Sequence, residues 1–329
     1  MRNRFYILDH PLLPTPYNHR FFVEKFARGF GYRGYDVSVI RSVAEATGPG
    51  FVMISNHDYT YRLLPPRGRV AAKLATVIRS DARLPTAIRR GSQHRVLRQL
   101  ANVATTKGLV VLAWFWHDHS DEFDEFGIPV IFTGEHFYDE PTSVEHRELW
   151  EFYQRERRAL SIPFSADVDP DRVGVDCTND RFDVCYVGSG AYKPEWYRFY
   201  AADPANRIVP TPPYIDEDER LRVYRESKLS LGLHSELNIA NHVVVERVFE
   251  SLALGAVCVS DNLAAVRITD GLVSAVGDAD SLHEATASLL ADDERRHKLR
   301  ASGFDFIRHS GTYAHRADAF IALGTELYG

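Results

Sequence analysis

Apolar residues fall into short runs of strand length separated by longer stretches in which they recur every three to four positions, and this alternation persists along most of the chain. Residues 4–9 (RFYILD) have a strand pattern that stops in the Pro-rich turn HPLLPTPYN. Residues 19–30 space Phe22, Val23, Phe26 and Phe30 as on one helix face, and 35–40 (YDVSVI) form the next strand. Strands at 51–54, 109–116 (LVVLAWFW) and 128–132 (IPVIF) follow, and 144–160 reads as one long polar helix. Residues 161–178 (SIPFSADVDPDRVGVDCT) have the Pro, Asp and Gly content of a linker. Beyond it, strands at 182–187, 207–210, 229–233, 256–260 and 272–276 alternate with helical patterns at 216–225, 243–254 and 281–290. Two final helices over 293–328 are broken at Gly311. The pattern predicts an α/β fold of two Rossmann-like domains facing each other across a cleft. The expected bounds are a first domain at 1–164, a second domain at 165–310, and a terminal helix at 311–329 packing back toward the first.

Composition adds exclusions. At 329 residues the chain exceeds the size at which one core keeps growing, which favours two domains. Hydrophobic residues at 45% and charged residues at 26% are ordinary for a globular protein, and the net charge of −6 argues against a nucleic-acid partner. No apolar run reaches membrane-spanning length, and the N-terminus lacks the apolar region of a secretory signal, so the expected location is cytoplasmic. Cys177, Cys185 and Cys258 are too few and too dispersed for a disulfide or zinc framework and read as small core residues.

The richest chemistry lies in residues 228–261. Leu229, Leu231 and Leu233 alternate with Ser230, Gly232 and His234, and Val245, Val248, Phe249 and Leu252 then make the buried stripe of a helix. That phase turns Glu246 and Glu250 outward, with Arg247 beside them, and Gly255 stands where a helix ends. A helix beginning after a strand presents positive dipole where open α/β sheets bind ligands; carboxylates there can accept ribose hydroxyls, and an arginine can pair with phosphate. The same spacing equally describes a solvated helix face with i,i+4 ion pairs. Gly188, Ser189 and Gly190, directly after a strand, leave room for a ligand against the backbone, with Lys193 in reach of a diphosphate. His117-Asp118-His119 follows one strand without a diagnostic third ligand, so no metal is expected. Glu135 and His136 follow another, where either a general base or a structural histidine fits.

From about residue 162 to 320 the chain resembles the GT-B glycosyltransferases, within them the group 1, spore-maturation-protein-like type. The residues that carry this are IPFSADVD, FDVCYVGSG, YRESKLSLGLH, ERVFESLALGAVCVSD and DADSLHEATASLLADDERRHKLRASGFDFI, with AWFWHDHSDEF and GIPVIFTGEHF in the first half. The resemblance implies transfer of a sugar from a nucleoside diphosphate sugar, with no cofactor and no metal. The acceptor would be a glycan, a lipid-linked molecule or a protein, with peripheral membrane contact.

It puts Glu250 on the donor ribose. The family's second glutamate falls at His242, so its role passes to Glu236 or Glu246. The phosphate-binding positions are taken by Ser189 and Lys193, with Arg247 as substitute. Tyr214, His234 and Asn238 join the donor set, and His136, with Glu135 and His117, lies beside the donor sugar. The stretch VVVERVFESLALGAVCV also resembles the donor segment of α-1,3-fucosyltransferases, in which Glu246 and Arg247 would hold GDP-fucose. A sugar-nucleotide epimerase and an inactive scaffold share the same plan. On this reading Glu250→Ala would abolish donor binding with the fold intact.

Overall fold

The computed structural model describes residues 3–8, 17–54, 100–114, 126–134, 159–161, 164–191, 193–211, 215–240 and 242–329. They form two compact units. The first takes in the described residues up to Gly134, Ala159 and Leu160, and Arg316–Gly329; the second is built from Ser161–His315.

In the first unit the sheet runs in the order β2-β1-β3-β4-β5-β6, with β1 Arg4–Leu8, β2 Asp36–Ile40, β3 Gly50–Ile54, β4 Leu109–Trp114, β5 Val130–Gly134 and β6 Ala159–Ser161. The pairings of β1 with β2 and β3, of β3 with β4 and of β4 with β5 are all parallel. Parallel strands are covered on both faces, which is why β4 is a continuous apolar run rather than an alternating one. Helix α1, Tyr17–Tyr32, covers one face: Phe30 stacks on Phe5 at 4.2 Å between ring centroids. The C-terminal part of the last helix also belongs to this unit. Its Phe320 meets Phe26 edge-on at 5.6 Å, Asp318 takes both arms of Arg33 at 2.8 and 2.6 Å, and Tyr328 Oη donates to Val130 O at 3.0 Å.

The second unit has a five-stranded parallel sheet in the order β11-β10-β9-β7-β8, formed by β7 Phe182–Ser189, β8 Arg207–Thr211, β9 Ser227–Gly232, β10 Val257–Ser260 and β11 Ser274–Ala275. The helices between and after them are α2 Pro194–Ala201, α3 Glu217–Arg225, α4 Glu236–Ala240, α5 Glu246–Ala253, α6 Leu263–Ile268, α7 Ala279–Ala291, α8 Asp293–Ser310 and α9 Tyr313–Tyr328. The sheet grows outward in both directions from the β7–β9 pair. In open sheets of this kind ligands collect beyond the carboxyl ends of the two strands where the order reverses. Those ends carry Gly188–Gly190 on one side and Leu233–His234 on the other.

Two expectations about this half change. Residues 161–178 are not a loose linker: Ser165, Ala166 and Asp167 are buried, Ala166 bridges Thr312, and its N–H donates to Gly311 O at 2.8 Å. Composition marks where the chain turns, whereas this burial comes from a partner far along the sequence. The polar stretch ending at Leu160 closes in strand β6 rather than in helix. Gly255 has the expected left-handed backbone (φ +83°) after α5, and a Cβ there would lie 2.3 Å from Asn179 Oδ1. Asn179 fixes that corner by donating its amide to the carbonyls of Tyr224, Ser227 and Leu254 at 2.9–3.0 Å. Cys185 and Cys258 are core residues as expected, their thiols raised by burial to about 11 and about 12, whereas Cys177 is half-buried at the edge of the core.

Candidate functional site

Beyond the carboxyl ends of β7 and β9, Arg247 projects from the first turn of α5 across the gap. Its Nη1 donates to Leu233 O at 2.5 Å, and its guanidinium lies 5.6 Å from the centre of the Tyr186 ring. It also lies against Gly188. A Cβ on that glycine would come within 2.8 Å of Arg247 Cζ and Nη1 and of Tyr186 Oη. Glycine at 188 is therefore what lets the guanidinium rest on the strand end. The glycine loop is tied down from below, where Tyr186 Oη donates to Ser189 O and Tyr197 Oη to Gly190 O, both at 2.9 Å, and the two rings stack at 4.6 Å.

Lys193 is placed differently from the expectation. Its backbone is left-handed (φ 46°), and its ammonium donates to Asp261 Oδ2 at 2.8 Å, lies 3.4 Å from Glu236 Oε1 and sits over the Trp196 ring. The charge of this lysine is thus met by a buried carboxylate rather than turned toward the glycines. Asp261, which the sequence reading passed over, is the hub. Burial acts to raise its pKa, but the bonds from His234 and Lys193 win and hold it below the ordinary carboxylate value.

His234, expected among the donor contacts, is 1% exposed and has both ring nitrogens occupied. Nδ1 bonds Asp261 Oδ1 at 2.7 Å and Nε2 accepts the N–H of Val245 at 3.1 Å. Glu236 holds its side chain in solvent. The backbone of Asn238 shapes the turn, its carbonyl accepting Val243 N–H at 2.8 Å. His242 has a left-handed backbone (φ 55°), and its Nδ1 is buried with no hydrogen-bond partner among the described residues.

Glu246 and Glu250 do not share an exposed face. Glu246 is half-buried and accepts from Tyr313 Oη at 3.0 Å. Glu250 is 0% exposed and forms an ion pair with Arg220 of α3. Burial opposes the charge on Arg220, but Glu250 and Glu246 outweigh it and hold the guanidinium above its ordinary pKa. Spacing identified the buried stripe of α5, Val248, Phe249 and Leu252. It could not show that α3 and α8 also pack against this helix and enclose Glu250. Tyr214, His117, Glu135 and His136 lie outside the described residues.

Residues 175–322 match the family model described as "Glycosyl transferase-like". The chain has the GT-B fold, and over residues 175–322 it is similar to the glycosyl transferases. Among solved structures, an α-glucosyltransferase in complex with UDP and a 13-mer DNA is 11% identical, with 99% of this chain and 100% of that chain covered, at a TM-score of 0.57. A UDP-forming α,α-trehalose-phosphate synthase from Burkholderia vietnamiensis is 11% identical over 99% and 98% of the two chains, at 0.52. An E. coli protein described as "Trehalose-6-phosphate", bound with UDP-2-fluoro glucose, is 11% identical over 98% and 99%, also at 0.52. At these identities the shared property is the fold. No curated protein matches the sequence.

The clash at Gly188 is with the ends of two side chains, not with backbone, so the fold can absorb a methyl group while Arg247 cannot stay where it is. Gly188→Ala is expected to leave the melting temperature within about two degrees while weakening nucleoside diphosphate binding roughly tenfold, about the worth of one displaced charge-assisted hydrogen bond. Calorimetric titration alongside a thermal melt checks this; unchanged affinity would mean that Arg247 does not face the ligand.

Proposed function

We propose that this protein is a glycosyltransferase that moves a sugar from a nucleoside diphosphate donor, held by the second unit, to a hydroxyl of a glycan, lipid-linked or protein acceptor held by the first. The observation that carries the donor assignment is Arg247, whose guanidinium spans the ends of β7 and β9 at the reversal of strand order, directly against Gly188. In the transfer, the bond between the anomeric carbon and the diphosphate oxygen breaks, and the diphosphate leaves with the bonding pair. The acceptor oxygen bonds to the anomeric carbon and gives its proton to a base. Arg247 would stabilise the charge that accumulates on the leaving diphosphate, as metal ions do in other folds, so the reaction proceeds without a divalent cation. Glu246, half-buried beside Tyr313, replaces the enclosed Glu250 as our choice for the donor hydroxyls. For the base we retain His136, with Glu135 and His117 beside the sugar, on family resemblance alone. The cytoplasmic location and the spore-maturation-protein-like subtype belong to the same proposal.

The test is turnover of a panel of UDP-, GDP- and dTDP-sugars by the full chain, with mixed acceptors, in excess EDTA. Release of nucleoside diphosphate coupled to a new glycoside, undiminished by the chelator, is the expected result. Loss of turnover restored by Mn²⁺ or Mg²⁺ would overturn the metal-independent reading. Conversion of donor to its epimer with no acceptor would replace transfer by epimerisation.

A further inference from the structure

Asp261, His234 and Val245 form a chain of three groups that the transfer reaction does not itself require. Asp261 follows β10 and faces the end of β9. It accepts the backbone N–H of His234 on both oxygens, at 3.0 and 3.1 Å, and the His234 ring on Oδ1 at 2.7 Å. On the far side of the ring, Nε2 faces a backbone N–H, that of Val245 at 3.1 Å. A backbone amide can only donate, so Nε2 must carry its lone pair and Nδ1 the proton. The tautomer is thus fixed from both ends, in a side chain with no exposed surface. Val245 is the residue on which α5 begins. It offers no side-chain cap, and Arg247 stands two residues further on. The imidazole therefore pins the first turn of the helix that carries the guanidinium.

We propose that His234, oriented by Asp261, is a positioning residue for the donor site: it holds the start of α5 only while its ring is neutral, so that protonation releases Arg247 and weakens nucleotide binding. The reason is local. A proton on Nε2 would point at the proton already on Val245 N, turning an attraction into a repulsion, and the bond must break. This proposal rests on the donor assignment made above.

The charged and titratable groups around the ring come from every neighbouring element. Asp261 after β10 favours the imidazolium. Lys193 before α2, bound to the same carboxylate, offsets part of that effect. Arg247 on α5 disfavours it, Glu236 on α4 lies against Lys193, and Tyr186 on β7 lies beneath Arg247. Burial outweighs the Asp261 bond and lowers the His234 pKa from its ordinary 6.5. Because the folded value is depressed, the contribution is complete above about 6.5 and is lost as the pH falls through the lowered value.

Wild-type protein alone gives the first test. ¹⁵N-histidine spectra at pH 8 should show His234 protonated on Nδ1 and bare on Nε2; the opposite tautomer would overturn the proposal. The second test compares wild type with His234→Gln, whose side-chain oxygen can accept from Val245 but does not titrate. Between pH 8 and 5 the hydrogen-exchange protection factor of the Val245 amide should fall in wild type, approaching tenfold per pH unit below the histidine's titration, and stay level in the variant. UDP affinity, or that of whichever nucleoside diphosphate binds, should fall with pH in wild type relative to the variant. Taking this ratio cancels the ionisation of the nucleotide's own phosphate near pH 6. Parallel affinity profiles in the two proteins would overturn the positioning role even if the amide responds. Absence of nucleotide binding at every pH would instead remove the donor assignment, and with it the positioning claim, while the exchange data still decide whether the clasp exists.

Discussion

Replacing Glu250 with alanine is expected to destabilise the second unit by about 3–5 kcal/mol, the cost of removing one member of a buried ion pair and leaving the other charged. Glu250 is fully enclosed and Arg220 nearly so, and the two come from helices that meet only in the fold. The alanine variant would leave the Arg220 guanidinium, already drawn toward carboxylates, facing a cavity beside Tyr224 and Phe249, both of which are buried. A fall in melting temperature of roughly ten degrees would accompany this. A double-mutant cycle settles the cause: Arg220→Met combined with Glu250→Leu should cost clearly less than the sum of the single changes, because neither charge is then stranded. If Glu250→Ala instead melts like wild type and merely fails to bind nucleotide, the glutamate is a ligand contact, as the family resemblance implied, and the burial reading is wrong.

Arg247→Ala should have the larger effect on chemistry, lowering turnover by roughly 10²–10³, the scale of losing one principal donor to a developing negative charge. Its effect on stability should be small, since the guanidinium is half-exposed and its one described backbone acceptor, Leu233 O, ends a strand whose ladder is otherwise intact. Arg247→Lys should recover only part of the loss, because an ammonium cannot hold Leu233 O and a phosphate with the same planar fork. Equal turnover by the lysine and arginine proteins would reduce the residue to a point charge. Unchanged turnover by the alanine protein would remove it from the site.

These two residues also show how far local pattern reaches. FDVCYV and VCVS read as buried strands from composition alone, because parallel strands covered on both faces need apolar side chains at every position, and both are strands. The inner face of α5 was equally legible, and Gly255 announced where it stops. What escaped was the identity of partners brought in by tertiary packing. Arg220 covers Glu250 from a separate helix, α3, and Asp261 meets Lys193 across 68 positions of chain. Hence Lys193 and His234 have residue types suited to a ligand, but in the fold their polar atoms meet Asp261 and Val245. Arg247, by contrast, lies against Gly188 at the strand ends, with no carboxylate among its described partners.

The claim on which the rest depends is that the second unit binds a nucleoside diphosphate beside Arg247. Isothermal titration of the full chain with UDP, GDP and dTDP, repeated on Arg247→Ala, tests it directly. One of the three should bind with a stoichiometry of about one, and the alanine variant should lose roughly 1.5–3 kcal/mol of that binding, or about ten- to a hundredfold in affinity, with its melting temperature preserved. Binding of equal strength to both proteins, or of none of the three nucleotides to the wild type, would contradict it.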